Sequence, residues 1–314
     1  MSTVQLLPMV PRTQPLSPDA PAPRGNRPPW LKVRFPQGPN YQELRELMRA
    51  ENLHTICEEA LCPNIGECWE NRTATFLILG DICTRNCGFC AVTTGRPTGL
   101  DLEEPERLAR AVQRIGLRHI VITSVTRDDL PDGGSSIYAA TIARLREHVA
   151  GCGIEVLIPD FQGNWTALET VMKARPDILN HNMETVPRLY RRVRPKAVYS
   201  QSLELLRRAK RLAPNMVTKS GLMVGLGETR EELLQTFHDL RRQEVDVLTV
   251  GQYLRPSMRH LPVERYVPPA EFAELKAAAG ALGFGHVESG PLVRSSYHAH
   301  EQVPRLGEVA SSAG

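Results

Sequence analysis

Cys83, Cys87 and Cys90 fall within the ten residues DICTRNCGFC (81–90), with three and then two residues between them. A structural zinc site closes on four ligands and usually shows them as two C-x2-C pairs. A tetrathiolate iron-sulfur cluster also takes four cysteines. A lone triplet therefore implies a distant fourth ligand or a coordination position left open. A second triplet, Cys57, Cys62 and Cys68 in CEEALCPNIGEC, has four and then five residues between its thiols. Taken alone, it also fits a buried structural zinc. Cys152 belongs to neither group and reads as a packed thiol. The nine histidines show no spacing that demands a metal.

Seven cysteines without a secretion signal point to metal or redox chemistry in a reducing compartment, so the expected location is the cytoplasm. No window approaches the roughly 18 apolar residues of a membrane span. The net charge is +3, but residues 1–40 alone carry Arg12, Arg24, Arg27, Lys32 and Arg34 against Asp19. The remainder is close to neutral, which argues against a nucleic-acid partner. Residues 1–28 are Pro-rich, poor in packing residues and expected to be disordered. A transit peptide is the rival reading, though the prolines oppose the helix that a mitochondrial signal needs.

The cysteines need a scaffold, and from residue 75 the chain supplies one. Strand-like runs occur at 75–79, 119–124, 154–159, 177–182, 218–225 and 245–251, separated by helical patterns at about 103–115, 135–150, 164–174, 199–212 and 229–243, with another near 270–282. Such alternation marks repeated βα units and a parallel sheet. Six units predict a partial (β/α)6 TIM-type barrel, with a doubly wound sheet as the alternative. Barrels carry their chemistry at the C-terminal strand ends. DICTRNCGFC, SVTRDD, HNMET, GLGET and QYLRPS all follow strands, so they are expected to face one cavity.

At this point the residues resemble a known family. A C-x3-C-x2-C loop with an aromatic residue, Phe89, before its last cysteine is similar to that of the radical S-adenosylmethionine (SAM) superfamily. There three cysteines hold a 4Fe-4S cluster whose fourth iron takes SAM, and reductive cleavage yields a 5′-deoxyadenosyl radical. Together with CEEALCPNIGEC, QGPNY, RDDLPDGG, NHNMETV, GLMVGLGET, QYLRPS and RSSYHA, the chain from about 29 to 300 resembles the lipoyl synthases. The resemblance implies sulfur insertion at C6 and C8 of an octanoyl chain amide-linked to a carrier lysine, with a second 4Fe-4S cluster as sulfur donor and SAM consumed. Radical chemistry suits unactivated C–H bonds, which offer no acidity to a protein base.

The same resemblance makes Cys83, Cys87 and Cys90 the ligands of the SAM cluster. It makes Cys57, Cys62 and Cys68 three auxiliary ligands and Ser296 the fourth. Asn182 and Glu184 are implied as ribose partners of SAM, and Gly225, Gly227 and Glu228 as part of its pocket. The expected division is a tail (1–28), an N-terminal extension with auxiliary ligands (29–73), the barrel (74–284) and a C-terminal extension closing the auxiliary site (285–314). Implied partners are octanoylated lipoyl carrier domains, namely the glycine cleavage H protein and 2-oxoacid dehydrogenase E2 subunits, and a ferredoxin or flavodoxin as reductant. A biotin synthase-like enzyme or a methylthiotransferase is the runner-up.

Two stretches keep a plainer reading beside the functional one. GLGE could be a tight turn before a capped helix. The nine basic residues between Arg188 and Arg211, set against Glu204 alone, could be a solvated face or a docking patch for acidic carriers.

Overall fold

The computed structural model describes residues 27–33, 36–117 and 119–296. Most of the expected tail and residues 297–314 of the C-terminal extension lie outside the described residues. The first elements are α1 (Pro39–Ala50), β1 (His54–Thr55), α2 (Ile56–Glu59), α3 (Ile65–Glu70) and β2 (Thr75–Ile78). Two short strands, β3 (Ile82–Cys83) and β4 (Thr93–Thr94), follow and pair with each other. Next come α4 (Glu104–Ile115), β5 (His119–Ser124), α5 (Ser135–His148), β6 (Gly153–Leu157), α6 (Trp165–Lys173) and β7 (Ile178–Asn180). The chain continues through α7 (Tyr190–Val193), α8 (Tyr199–Leu212), β8 (Val217–Val224), α9 (Arg230–Arg242), β9 (Val247–Gln252), α10 (Pro269–Ala281) and β10 (His286–Gly290).

The main sheet runs in the order β1-β2-β5-β6-β7-β8-β9-β10. Every neighbouring pair from β2 to β10 is parallel, and β1 pairs antiparallel with β2. A doubly wound sheet reverses its strand order at a switch point. This order never reverses, so the sheet curls one way into an incomplete barrel. β10 extends the parallel run beyond the six strands expected, in register from His286 opposite Val247 to Gly290 opposite Gly251. Its residues HVESG contain one apolar side chain suited to a core, which is why hydrophobic patterning passes over it.

Strands covered on both faces are largely apolar. β2 and β9 are buried at every position. Helices seal the outer face: α4 buries Leu108, Val112 and Ile115 along one stripe and stops at Gly116, whose φ of +71° suits a left-handed helix end. α9 starts with a reciprocal cap between Thr229 and Glu232.

Inside the barrel, Lys219 of β8 and Glu155 of β6 form an ion pair at 3.1 Å, with both side chains at 0% exposure. Asn180 Nδ2 donates to Glu155 Oε1 at 2.9 Å. Burial pushes the Glu155 carboxyl up, but the Lys219 charge and the contacts from His119 and Asn180 outweigh it and leave it below its ordinary range. Residues two positions further along these strands, Leu157 and Gly221, line the cavity above, so the pair lies one layer beneath its floor. Lys219→Met leaves a buried carboxylate without its cation and should lose about 3–5 kcal/mol, whereas the double change with Glu155→Leu should lose far less. Urea unfolding of both variants is the check, and a single variant as stable as the parent would contradict the argument. Among the described residues, no helix is long and apolar enough to cross a membrane.

Candidate functional site

β2 delivers the chain to the cluster loop through Leu79, whose N–H donates to the buried carboxylate of Glu104 at 2.8 Å. The loop is then held from several directions. Cys83 Sγ accepts from the backbone N–H groups of Arg85 (3.4 Å) and Thr126 (3.3 Å). Gly88 N donates to Val193 O at 2.9 Å, and Leu261 N donates to Gly88 O at 3.0 Å. His260 Nε2 lies 3.0 Å from Cys90 O.

The strongest anchor is Arg85, between the first two cysteines. Its guanidinium binds Asp128 at 2.8 and 2.9 Å and Asp160 at 2.9 and 2.6 Å. Burial works against this cation, but the two carboxylates overcome it and hold it protonated. Two bidentate forks of this kind fix a planar group in position and orientation. They tie the loop to the segments after β5 and β6. Sequence reasoning noticed the RDD run but missed Arg85; the signal was a charged residue enclosed between two cluster cysteines.

Cys83, Cys87 and Cys90 line a cavity of about 500 Å³ at the C-terminal ends of the strands. That volume suits a small-molecule site. Phe89, Asn182 and Glu184 line it too. β7 ends at Asn180, so Asn182 and Glu184 do not meet by simple strand alternation as expected. Glu184 turns left-handed, with a φ of +67°, bridges to Leu222, and accepts from Asn182 Nδ2 at 3.1 Å. The buried Asn182 Oδ1 has no hydrogen-bond partner among the described residues. Gly221 makes room for it, since a Cβ there would lie 2.8 Å from that oxygen. Burial pushes the Glu184 carboxyl up, opposed by the Arg194 charge and the Asn182 donor. Arg194, also missed, lines the cavity and donates to Asn182 O (2.9 Å) and Met183 O (3.2 Å).

Gly225, Gly227 and Glu228 are not among the residues lining this cavity. The Glu228 carboxylate accepts from Gly225 N at 2.6 Å and Leu226 N at 2.9 Å, closing its own turn ahead of the α9 cap.

The second triplet sits on α2 and α3 and the turn between them. Cys62 N donates to Cys57 O at 3.0 Å and Cys68 N to Asn64 O at 2.9 Å, which folds the segment back on itself. Its neighbours Ile56, Ala60, Leu61 and Pro63 face the same cavity as the first triplet. The C-terminal segment reaches this region because Asn64 Nδ2 donates to Leu292 O at 2.7 Å. Gly251 permits the approach: a Cβ there would stand 2.1 Å from Val293 O. Ser295 lines the cavity, and the adjacent Ser296 is partly buried.

The donor sets fit iron-sulfur clusters. All seven cysteines are free. Burial first, and then neighbouring thiolate charge, pushes Cys57 and Cys68 up to about 12 in one group and Cys90 to about 12 in the other. Thiols that raise one another in this way are close, and bound iron would relieve the repulsion while releasing protons. Among the described residues, no three Cys, His, Asp or Glu side chains close around a single ion. Cys152 is buried beside β6, its Sγ 3.6 Å from Gly153 O.

The basic stretch is largely spent on ion pairs. Arg188 meets Glu232, Arg192 meets Glu264, Lys210 meets Asp246, and Arg207 and Arg208 share Glu204.

Comparison with known proteins agrees with this geometry. The radical SAM superfamily matches residues 77–240, and the N-terminal domain of lipoyl synthase of the radical SAM family matches residues 19–62. The chain is 64% identical over 280 residues to the lipoyl synthase of Rubrobacter xylanophilus, covering 89% of this chain and 87% of that one. It is 60% identical over 283 residues to the lipoyl synthase of Roseiflexus sp., covering 90% and 94%. Among solved structures, HydG, a maturase of the [FeFe]-hydrogenase, aligns with a TM-score of 0.55 at 17% identity, over 86% of this chain and 61% of that one. Streptococcus suis SuiB bound to S-adenosylmethionine aligns at 0.53 and 10% identity, over 69% of this chain and half of SuiB. These two likenesses speak for the fold alone.

Proposed function

The chain belongs to the lipoyl synthases of the radical SAM superfamily, and from that premise we propose how its own residues divide the work. The enzyme inserts sulfur at C6 and C8 of an octanoyl chain carried on a lysine of a lipoyl carrier protein. The observation behind the division is that one group of three thiols lines the cavity, while a second group sits on a separate segment whose residues Ile56, Ala60, Leu61 and Pro63 line it too. Cys83, Cys87 and Cys90 hold the cluster that binds SAM. Cys57, Cys62, Cys68 and Ser296 hold the auxiliary one. When bound, the two clusters and SAM supply the electron, the hydrogen-abstracting radical and the sulfur.

The remaining residues bind, orient and shield. Arg85 fixes the loop against Asp128 and Asp160, and the N–H groups of Arg85 and Thr126 place partial positive charge on Cys83 Sγ. Asn182 Oδ1 offers an acceptor to a hydroxyl of SAM, with Glu184 beside it. Val125, Leu157 and Leu222 give the cavity an apolar wall that suits an alkyl chain and excludes water from a reactive intermediate. Carriers with octanoylated H-protein or E2 domains fit this reading, and so does a cytoplasmic setting in which free cysteines stay reduced. An anaerobic assay with SAM, a reductant and an octanoyl-lysyl peptide should give the lipoyl peptide and two 5′-deoxyadenosines per product. Release of 5′-deoxyadenosine without sulfur in the peptide would sink the reading.

Ser296 offers a hard oxygen where the other auxiliary ligands are soft thiolates, a poorer match to iron. That corner should detach most readily when sulfur leaves. Ser296→Cys should keep the iron content and SAM cleavage but slow sulfur insertion by roughly tenfold or more, on the scale of ligand-environment changes. Cys152→Ala should behave as the parent. Iron analysis and product mass spectrometry decide it; undiminished insertion by Ser296→Cys would contradict the weak-corner argument.

A further inference from the structure

Two segments distant in sequence pack against the cluster loop. One is α7 with the turn after it, joined to the loop through Gly88 N to Val193 O (2.9 Å) and Lys196 Nζ to Thr84 O (2.8 Å). The other is the loop 255–261, joined through Leu261 N to Gly88 O (3.0 Å) and His260 to Cys90 O (3.0 Å). Both present cations to solvent. α7 buries Tyr190 and Val193, so Arg191 and Arg192 are left exposed. Arg192 pairs with Glu264 at 2.8 Å. Arg191 and Arg259 are exposed, and among the described residues neither side chain has a hydrogen bond or ion pair. Met258, next to Arg259 in the second segment, is 70% exposed. Arg255 holds this apolar tip in place by donating to Met258 O at 2.5 Å and His260 O at 2.9 Å.

Two unpaired cations, Arg191 and Arg259, and an exposed methionine, on segments bonded to the backbone of Gly88 and Cys90, form a surface with a use. A Met tip adapts to varied partners, and like charges near it steer an oppositely charged one. On the assignment of Cys83, Cys87 and Cys90 to the SAM cluster, this is exposed protein surface one backbone layer from those ligands. We propose that the face formed by Arg191, Arg192, Lys196, Met258 and Arg259 is the docking site of a small acidic protein that donates single electrons. Each encounter oxidises the donor by one electron and reduces the iron centre by one; no bond forms or breaks at the surface. A donor has to reach the ligands, whereas the carrier has only to pass its long octanoyl-lysyl arm into the cavity, so the observations favour the donor here.

The test uses the reconstituted full-length enzyme and the double variant Arg191→Glu, Arg259→Glu. Affinity for an oxidised, acidic flavodoxin is measured by calorimetry at two salt concentrations, without turnover. 5′-Deoxyadenosine release is then followed with the reduced flavodoxin and, separately, with dithionite. The expected result is a weakening of flavodoxin binding by about tenfold or more, a flatter salt dependence, a matching loss of flavodoxin-driven release and an unchanged dithionite-driven rate. Unchanged binding, or an equal loss with both reductants, overturns the proposal. A variant that keeps the flavodoxin rate but binds the octanoylated carrier domain more weakly than the parent assigns the face to the carrier and also overturns it. Sulfur insertion is not read out, so a failure of the functional assignment would register in the octanoyl-lysyl assay and not here.

Discussion

Replacing Cys83, Cys87 or Cys90 with Ala abolishes reductive cleavage of SAM, and iron falls from about eight to about four per chain as one of two 4Fe-4S clusters is lost. The loop supplies three ligands and no fourth. If one position is reserved for SAM, as proposed above, losing a thiolate would leave two irons without protein donors. The survivors do not hold on alone: burial pushes Cys87 up to about 11 and Cys90 to about 12, so without iron they are neutral thiols. The nearby acids are not free to substitute. Asp128 and Asp160 are committed to Arg85, and the Glu184 carboxyl is pushed toward its neutral form. Anaerobic iron analysis, with chromatography of 5′-deoxyadenosine, is the measurement. Substantial cleavage by any of the three variants would show that the open-iron site lies elsewhere.

Replacing Cys57, Cys62 or Cys68 with Ala has a different signature. The lipoyl product disappears and iron again falls to about four. 5′-Deoxyadenosine still forms. The difference follows from where the triplets are anchored. The first depends on β2, Arg85 and the segments after β5 and β6. The second depends mainly on α2, α3 and the C-terminal segment, and it meets the first at the cavity and along β2. Each substitution removes one sulfur from a packed site, a cost small beside the stability of a domain this size. Circular dichroism should confirm a retained fold. If folded variants of this group also lost all 5′-deoxyadenosine, the two sites would not be separable as argued.

The parallel barrel was legible because strands buried on both faces are written as short runs rich in apolar and β-branched residues, such as TFLI and HIVITS. The cysteines were legible because ligand spacing is local. Long-range geometry was not. The left-handed Glu184 breaks the alternation that two-residue spacing implies, yet places its carboxyl beside Asn182 all the same. Arg85 shows its role only through Asp128 and Asp160, which lie 43 and 75 positions away. The basic run from Arg188 looked like a continuous patch because most of its acidic partners, Glu232, Asp246 and Glu264, are found much later in the chain. Only folding shows which cations remain unspent.

The bond from Asn64 to Leu292 joins residues 228 positions apart. At a translation rate of about 5–20 residues per second, roughly 10 to 45 s separate the emergence of these two residues from the ribosome. The three cysteines of DICTRNCGFC, by contrast, emerge together within a second or two on the same scale. The two iron sites thus have different birthdays. The first has its protein ligands, though not all of its anchors, while the polypeptide is still growing. On the assignment proposed above, the second also needs Ser296, far downstream of Cys57, Cys62 and Cys68. Machinery that delivers iron and sulfide to nascent chains would meet the cysteines of the first site well before Ser296 has been made.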